Sequence, residues 1–329
     1  MRIFLAPMEG VVDHHLRKIL SGIGGIDLCV TEFIRVSQAV LPKRVFTKSS
    51  PELLNNGNGA LCPTRIQLLG CDPELLAENA KVASKLGAPA IDLNFGCPAK
   101  TVNRNRGGAC LLDEPDLLFD IVNAVRKAVP LHIPVTAKIR LGFNDRDSYL
   151  INAKAIESAG ANELVVHARS KVDGYKPPAY WEYIGEINDA LNIPVVANGD
   201  IWSIEDYKRC KTISQCNDVM LGRGLLAQPD LALAIKALES GHEHKIFTWE
   251  DIAIQLKIFL DATAYAYAQK YLGNRVKQWL FYLKRTYPEA TELFDNIKRS
   301  HDYNFIANAI SAYIPNTRDT ENLRTEHQV

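Results

Sequence analysis

The run Asn94-Phe95-Gly96-Cys97-Pro98 puts a thiol where apolar residues give way to glycine and proline, a place for a strand to end and a stiffened loop to begin. A thiol with an ordinary pKa of about 8.5 is mostly protonated at neutral pH, so Cys97 can act as a general acid. A nucleophilic role would need a base to make the thiolate, and His167 is the one histidine at the end of an apolar run that could serve. Cys29, Cys62, Cys71, Cys110, Cys210 and Cys216 lack such a context and read as small hydrophobes or surface residues.

Other candidates recur at similar places. Lys138 interrupts Val135-Thr136-Ala137-Lys138-Ile139-Arg140, and burying its ammonium requires an anion. That anion is either an internal carboxylate such as Asp92 or a ring that gathers negative charge, as a reduced flavin does near N1 and O2. Gln67 offers a donor and acceptors to a ring edge of alternating carbonyl and N–H groups, or equally to loop backbone. Asn198-Gly199-Asp200 and Gly222-Arg223-Gly224 each follow a short apolar run. Glycine lets backbone amides approach an anion closely, and Arg223 adds a charge-assisted hydrogen bond. Singly these loops read as tight turns; together they read as a phosphate site.

All these residues must be delivered by strands. Short apolar and β-branched runs occur at Ile3 to Pro7, Asp27 to Phe33, Thr64 to Leu69, Ala90 to Asn94, Pro134 to Leu141, Glu163 to His167, Pro194 to Ala197 and Asp218 to Leu221. Between them, Pro73 to Leu86, Pro115 to Val129, Ser148 to Ala159, Trp181 to Leu191, Ile204 to Lys211 and Pro229 to Leu238 carry helical periodicity. The alternation predicts a parallel sheet covered by helices. Eight units in roughly 240 residues favour a closed (β/α)8 TIM barrel over an open doubly wound sheet, and such barrels keep their sites at the C-terminal strand ends. From Phe247 the alternation stops; Trp249 to Leu272, Arg275 to Thr286, Glu289 to Arg299 and Tyr303 to Tyr313 read as consecutive helices. The expected organisation is a barrel over 1–242, an all-helical domain over 243–315 and a polar tail over 316–329.

At 329 residues, 47% hydrophobic and 23% charged, the chain can bury a full core, which excludes disordered and fibrous classes. Glu9 and Asp13 break the first apolar stretch, and no run approaches the roughly 18 apolar residues of a membrane span, so a cytoplasmic protein without a membrane partner is expected. Seven scattered cysteines with no C-x-x-C pair argue against disulfides and a zinc site; no metal is expected. Lys plus Arg equals Asp plus Glu at 38 each, so any nucleic-acid binding has to come from local patches.

Taken in order, A-P-M-E-G-V-V-D at 6–13, D-L-N-F-G-C-P-A-K-T-V at 92–102, K-I-R-L-G at 138–142, H-A-R at 167–169, N-G-D-I at 198–201 and L-G-R-G at 221–224 resemble the tRNA-dihydrouridine synthase family over nearly the whole chain. Val12 and Ala168 depart from the Thr and Gly of many relatives and leave the chemical groups intact. The resemblance implies FMN held by Pro7, Met8, Glu9, Gln67, Lys138, Asn198, Gly199, Asp200, Gly222 and Arg223, with NADPH (or NADH) as electron donor. It implies hydride transfer to C6 of a uracil while Cys97 protonates C5, with Asn94, Arg140 and His167 touching the nucleotide. The loop Ala99 to Gly108, with Lys100, Arg104 and Arg106, would lie beside Cys97. Extruding a base costs least in an irregular RNA loop, which favours the D-loop of tRNA. Thr31 to Val36 and Arg275 to Leu280 look most like the bacterial C-type subgroup, which acts on uridine 16; in that reading Arg35, Lys277 and Trp279 orient the tRNA. Against it, the basic residues of the helical region read equally as a solvated surface, and at its helical spacing Trp279 reads better as core. The alternatives are action on another D-loop uridine and a flavin barrel reducing a small pyrimidine. No protein partner is implied, and a monomer is expected.

Overall fold

The computed structural model describes residues 1–55 and 61–315, so the tail expected over 316–329 lies outside the described residues. Nine strands form one parallel sheet: β1 (Ile3–Leu5), β2 (Leu28–Val30), β3 (Ile34–Arg35), β4 (Thr64–Leu69), β5 (Ile91–Phe95), β6 (Val135–Arg140), β7 (Glu163–His167), β8 (Val195–Asn198) and β9 (Asp218–Leu221). Pairing runs β2-β1-β9-β8-β7-β6-β5-β4, and β2 also pairs with β4, so eight strands close into a barrel. The two-residue β3 pairs with Leu68 and Leu69 at the end of β4, continuing along β4 where β2 leaves off with a one-residue shift in register, and was not expected as a separate strand.

Strand alternation divides the core. Val135, Ala137 and Ile139 of β6, like Leu164 and Val166 of β7, face the surrounding helices within one large apolar cluster. Phe4, Ala6, Val30, Val165, Val196 and Met220 form a separate, smaller cluster inside the ring. The N-terminal end of the barrel is closed by paired charges: Arg65 bonds Glu163 at 2.5 Å, and Arg2 bonds Glu163 at 2.7 Å and Asp218 at 2.5 Å. Buried charges are tolerated when mutually paired, and this plug leaves only the opposite mouth for a site.

Helices Trp249–Ala264, Asn274–Leu283, Glu289–Ile297 and Tyr303–Ser311 make the C-terminal helical region. Thr248 and Asp251 form a capping box that starts the first of them. This region is docked on the loop after β1: Arg275 donates to Gly10 O at 2.8 Å and Val11 O at 2.7 Å, and Gln278 to Gly10 O at 2.9 Å. No helix among the described residues is long and apolar enough to cross a membrane. All seven cysteines are free, although folding brings the buried Cys29 and Cys62 sulfurs to 3.2 Å.

Candidate active site

The C-terminal mouth of the barrel opens into a cavity of about 580 Å³. Parallel register sets its floor, placing Asn94 beside Lys138, Arg140 beside His167, and His167 beside Asn198. All fourteen barrel residues expected in the site, from Pro7, Met8 and Glu9 round to Gly222 and Arg223, line this one cavity.

The Cys97 turn is held from both ends. Asn94 Oδ1 accepts from Gly96 N at 3.0 Å and Cys97 N at 2.9 Å, while its Nδ2 donates to Gln67 Oε1 at 2.7 Å. Gln67 Nε2 donates in turn to Asp92 at 2.7 Å, and Thr136 fills the other Asp92 oxygen at 2.6 Å. Beyond the turn, Cys97 O accepts from Ala109 N at 3.0 Å and Asn103 Nδ2 at 2.8 Å. Arg140 is likewise spent on backbone: Nε donates to Gly96 O at 2.8 Å and Nη1 to Ser170 O at 3.1 Å and Gly174 O at 3.0 Å. Asn94 and Arg140, expected to touch substrate, thus both brace the turn that carries the thiol.

Burial pushes the Cys97 thiol above the ordinary thiol pKa, and Glu9 at the rim adds to the shift. The side chain therefore holds its proton at neutral pH, as a general acid must. His167 is buried, and the cations Arg140, Lys138, Arg169 and Arg223 around it add to a pKa held well below the ordinary imidazole value. Its imidazole is neutral at pH 7, a hydrogen-bonding group rather than a cation.

Lys138 does not pair with Asp92; its Nζ donates to Asn198 Oδ1 at 2.9 Å. Burial, with Arg140 nearby, lowers its pKa to about 7. An ammonium so short of counter-charge favours an anionic ligand. On the next loop, Gly199 has φ +124°, and a Cβ there would meet His167 Cδ2 at 3.0 Å. Asp200 follows at φ +51°, its carboxylate bonded by Arg169, by Trp202 Nε1 at 3.3 Å and by Arg223 at 3.2 Å. That carboxylate holds guanidinium groups in place rather than meeting an anion itself. Gly222 precedes the short helix Arg223–Ala227, and Gly222, Arg223 and Gly224 all line the cavity. A Cβ on Gly224 would lie 2.1 Å from Ile201 O, so the two glycine loops are packed directly together.

Three expected residues lie outside the cavity. Arg35 is exposed on β3, with Nη2 3.3 Å from Thr101 O. Trp279 is 1% exposed, donates from Nε1 to Leu226 O at 3.1 Å and packs edge-on against Phe259. Lys277 is buried with its ammonium on Ser300 O at 2.6 Å. The last two are buried where the helical region packs on the barrel and on itself, rather than exposed as a tRNA contact was expected to be. Conversely, Phe33, Tyr175, Trp202, Phe281 and Tyr282 line the cavity without having been singled out. Trp202 is stacked between Arg223 (4.9 Å) and Arg285 (4.1 Å). Phe281 had a legible signal: it is an apolar residue out of phase with the buried Val276, Trp279, Leu280 and Leu283, and it is 68% exposed.

No group of three or more metal-ligating side chains occurs among the described residues. Fold and site together define a TIM-barrel enzyme whose cavity, at one mouth, is lined by Cys97, Lys138, His167 and Arg223. Residues 4–312 match the family described as dihydrouridine synthase (Dus), and the chain belongs to that family. It is an oxidoreductase that modifies tRNA. Among its relatives it is 52% identical over 303 residues to a tRNA-dihydrouridine(16) synthase of Pseudomonas putida, covering 92% of this chain and 94% of that one. It is 46% identical over 314 residues to the protein of the same description from Neisseria meningitidis, covering 95% and 94%. Among solved structures, a 2-naphthoyl-CoA reductase complex superposes with a TM-score of 0.58 at 12% identity, covering 84% of this chain and 56% of that one. That likeness speaks to the fold alone.

Proposed function

We propose that this chain is a tRNA-dihydrouridine(16) synthase: an FMN enzyme that takes electrons from NADPH, or NADH, and reduces the C5–C6 double bond of a D-loop uridine. The observation that carries the reading is that Cys97 lines the same cavity as Arg223, Gly222, Lys138 and Gln67, groups suited to a phosphate and a ring edge. The residues present suit FMN. Arg223, the amides of the helix it begins and the side-chain-free Gly199 and Gly222 suit the phosphate. Lys138, short of an anion, and the spare N–H of Gln67 suit the pyrimidine edge of the ring, while Pro7, Met8 and Glu9 wall the mouth. Bound there and reduced by the nicotinamide, FMN would supply the hydride for C6 of the uracil.

The protein's own part is to hold the base and the proton. Cys97 delivers its proton to C5, and solvent reprotonates the thiolate afterwards. Neutral His167 offers a hydrogen bond to the base without adding charge. Asn94 and Arg140 act mainly through the Cys97 turn, and Asp200 through Arg169 and Arg223. Residues 1–242 serve as catalytic barrel and 243–315 as the tRNA-binding domain of a cytoplasmic monomer, with Arg35 on the RNA-facing side. The relatives' descriptions support position 16. The test is to incubate purified protein with NADPH and unmodified tRNA and map dihydrouridine by position. Reduction at 16 is expected; reduction elsewhere overturns the site, and equal activity on a free nucleoside overturns the tRNA assignment.

A further inference from the structure

Within the Ala99 to Gly108 loop, the short helix Lys100–Arg104 carries a half-buried amide, Asn103, that the chemistry above does not use. Asn103 Nδ2 donates to Cys97 O at 2.8 Å and to Gly107 O at 3.2 Å, bridging the two ends of the loop. The orientation of the amide follows from its surroundings, because a flipped side chain would face two carbonyl oxygens with its own oxygen. As placed, Asn103 Oδ1 is buried without a partner. A buried unpaired acceptor costs stability.

Its neighbours link it outward. Asn105 Nδ2 and Arg35 Nη2 both donate to Thr101 O, at 2.7 and 3.3 Å. The exposed Lys100 and Arg104 sit on the same short helix. One small rigid piece therefore runs from solvent-facing cations to the peptide of the thiol residue. We infer that Asn103 is a positioning residue for proton delivery: through the Cys97 carbonyl it fixes the thiol relative to the helix Lys100–Arg104. The inference rests on the reading of Cys97 as proton donor.

Two variants separate positioning from filling space. Asn103→Asp keeps the shape but sets a carboxylate against the two carbonyls; Asn103→Ala removes both shape and donor. Flavin content and the KM for tRNA should stay within about twofold of wild type in both. Single-turnover formation of dihydrouridine should fall about 10-fold or more in each, the scale on which misplacement of a reacting group costs rate, and Asn103→Asp should be no better than Asn103→Ala. A shape-filling role predicts the reverse order, with Asn103→Asp near wild type, and that result overturns the inference. A second readout does not need tRNA: the rate at which iodoacetamide alkylates the Cys97 peptide, followed by mass spectrometry. Asn103→Ala should raise it several-fold by loosening the turn, and an unchanged rate overturns the inference. If wild type made no dihydrouridine while this rate still rose, the functional reading would fail and the hold on Cys97 would stand.

Discussion

Gly108→Ala should damage the chemistry by moving the thiol. Gly108 has φ +68°, and an added Cβ would lie 2.8 Å from Cys97 O, 2.9 Å from Cys97 Cβ and 3.1 Å from Val102 Cγ1. Carbon atoms rest at about 3.5 Å or more, so the Cys97 and Gly108 backbones must separate by roughly 0.6 Å. Left-handed backbone at a residue with a Cβ costs a further 1–2 kcal/mol, roughly. Since an ångström of misplacement can cost about 10²-fold in rate, the expected loss in single-turnover dihydrouridine formation is about 10-fold or somewhat more, with flavin content unchanged. Gly87→Ala is the matched control, because Gly87 has φ +87° with nothing within 4 Å of the Cβ position. Both variants should lower Tm through backbone strain, and only Gly108→Ala should slow the reaction. If Gly108→Ala loses Tm but turns over at the Gly87→Ala rate, the close packing of Gly108 on Cys97 has no part in placing the thiol.

Cys97→Ala should retain flavin and tRNA binding and lose about 10²- to 10⁴-fold in turnover, the usual span of general acid catalysis; near-normal turnover would remove Cys97 from its role. Because burial raises the thiol, the alkaline limb of the wild-type single-turnover rate should lie above the pH at which an exposed thiol ionises, and a Cys97-dependent limb below it would contradict its environment. Arg223→Ala should lower the flavin content of purified protein by removing a phosphate partner, and unchanged absorbance in the flavin bands would refute that contact. Lys138 has a folded pKa of about 7 against an ordinary 10.5, so between those values the unfolded chain binds the extra proton and stability rises with pH. Urea unfolding of flavin-free protein at pH 7.5 and 9.5 should show this rise in wild type and less of it in Lys138→Met; equal changes in both would sink the assignment.

The barrel was legible because its strands are buried on the helix-facing side and therefore read as short apolar runs. Thr64–Leu69, Glu163–His167 and Asp218–Leu221 run between the very residues expected from the sequence. β3 was hidden because two residues carry no period, and Ile34–Arg35 resumes along β4 only after the break that ends β2 at Val30. The helical region was visible in its spacing, but what its face touches was not. Trp279 and Lys277 lie where the Asn274–Leu283 helix meets the barrel and its own neighbours, a matter of docking that no local pattern records.

Site membership was more legible than site roles. Polar residues on apolar strands and glycine loops at their ends stand out, and all fourteen residues expected around the barrel mouth share one cavity. Their partners depend on register across strands. Asn94 meets Gln67 from a strand 27 residues away, and Arg140 meets Gly174 from a loop 34 residues on. Once paired, Asn94 has its oxygen committed to the Gly96 and Cys97 amides, and Arg140 has three of its bonds on carbonyls. Side chains so occupied are costly to redirect toward a substrate, since each released carbonyl or amide would be left buried and unpaired. The Cys97 thiol, the Lys138 amine and the His167 imidazole, on which the proposed chemistry rests, are less committed to such contacts, Lys138 Nζ meeting Asn198 Oδ1. The residues around them fix where those few groups can point.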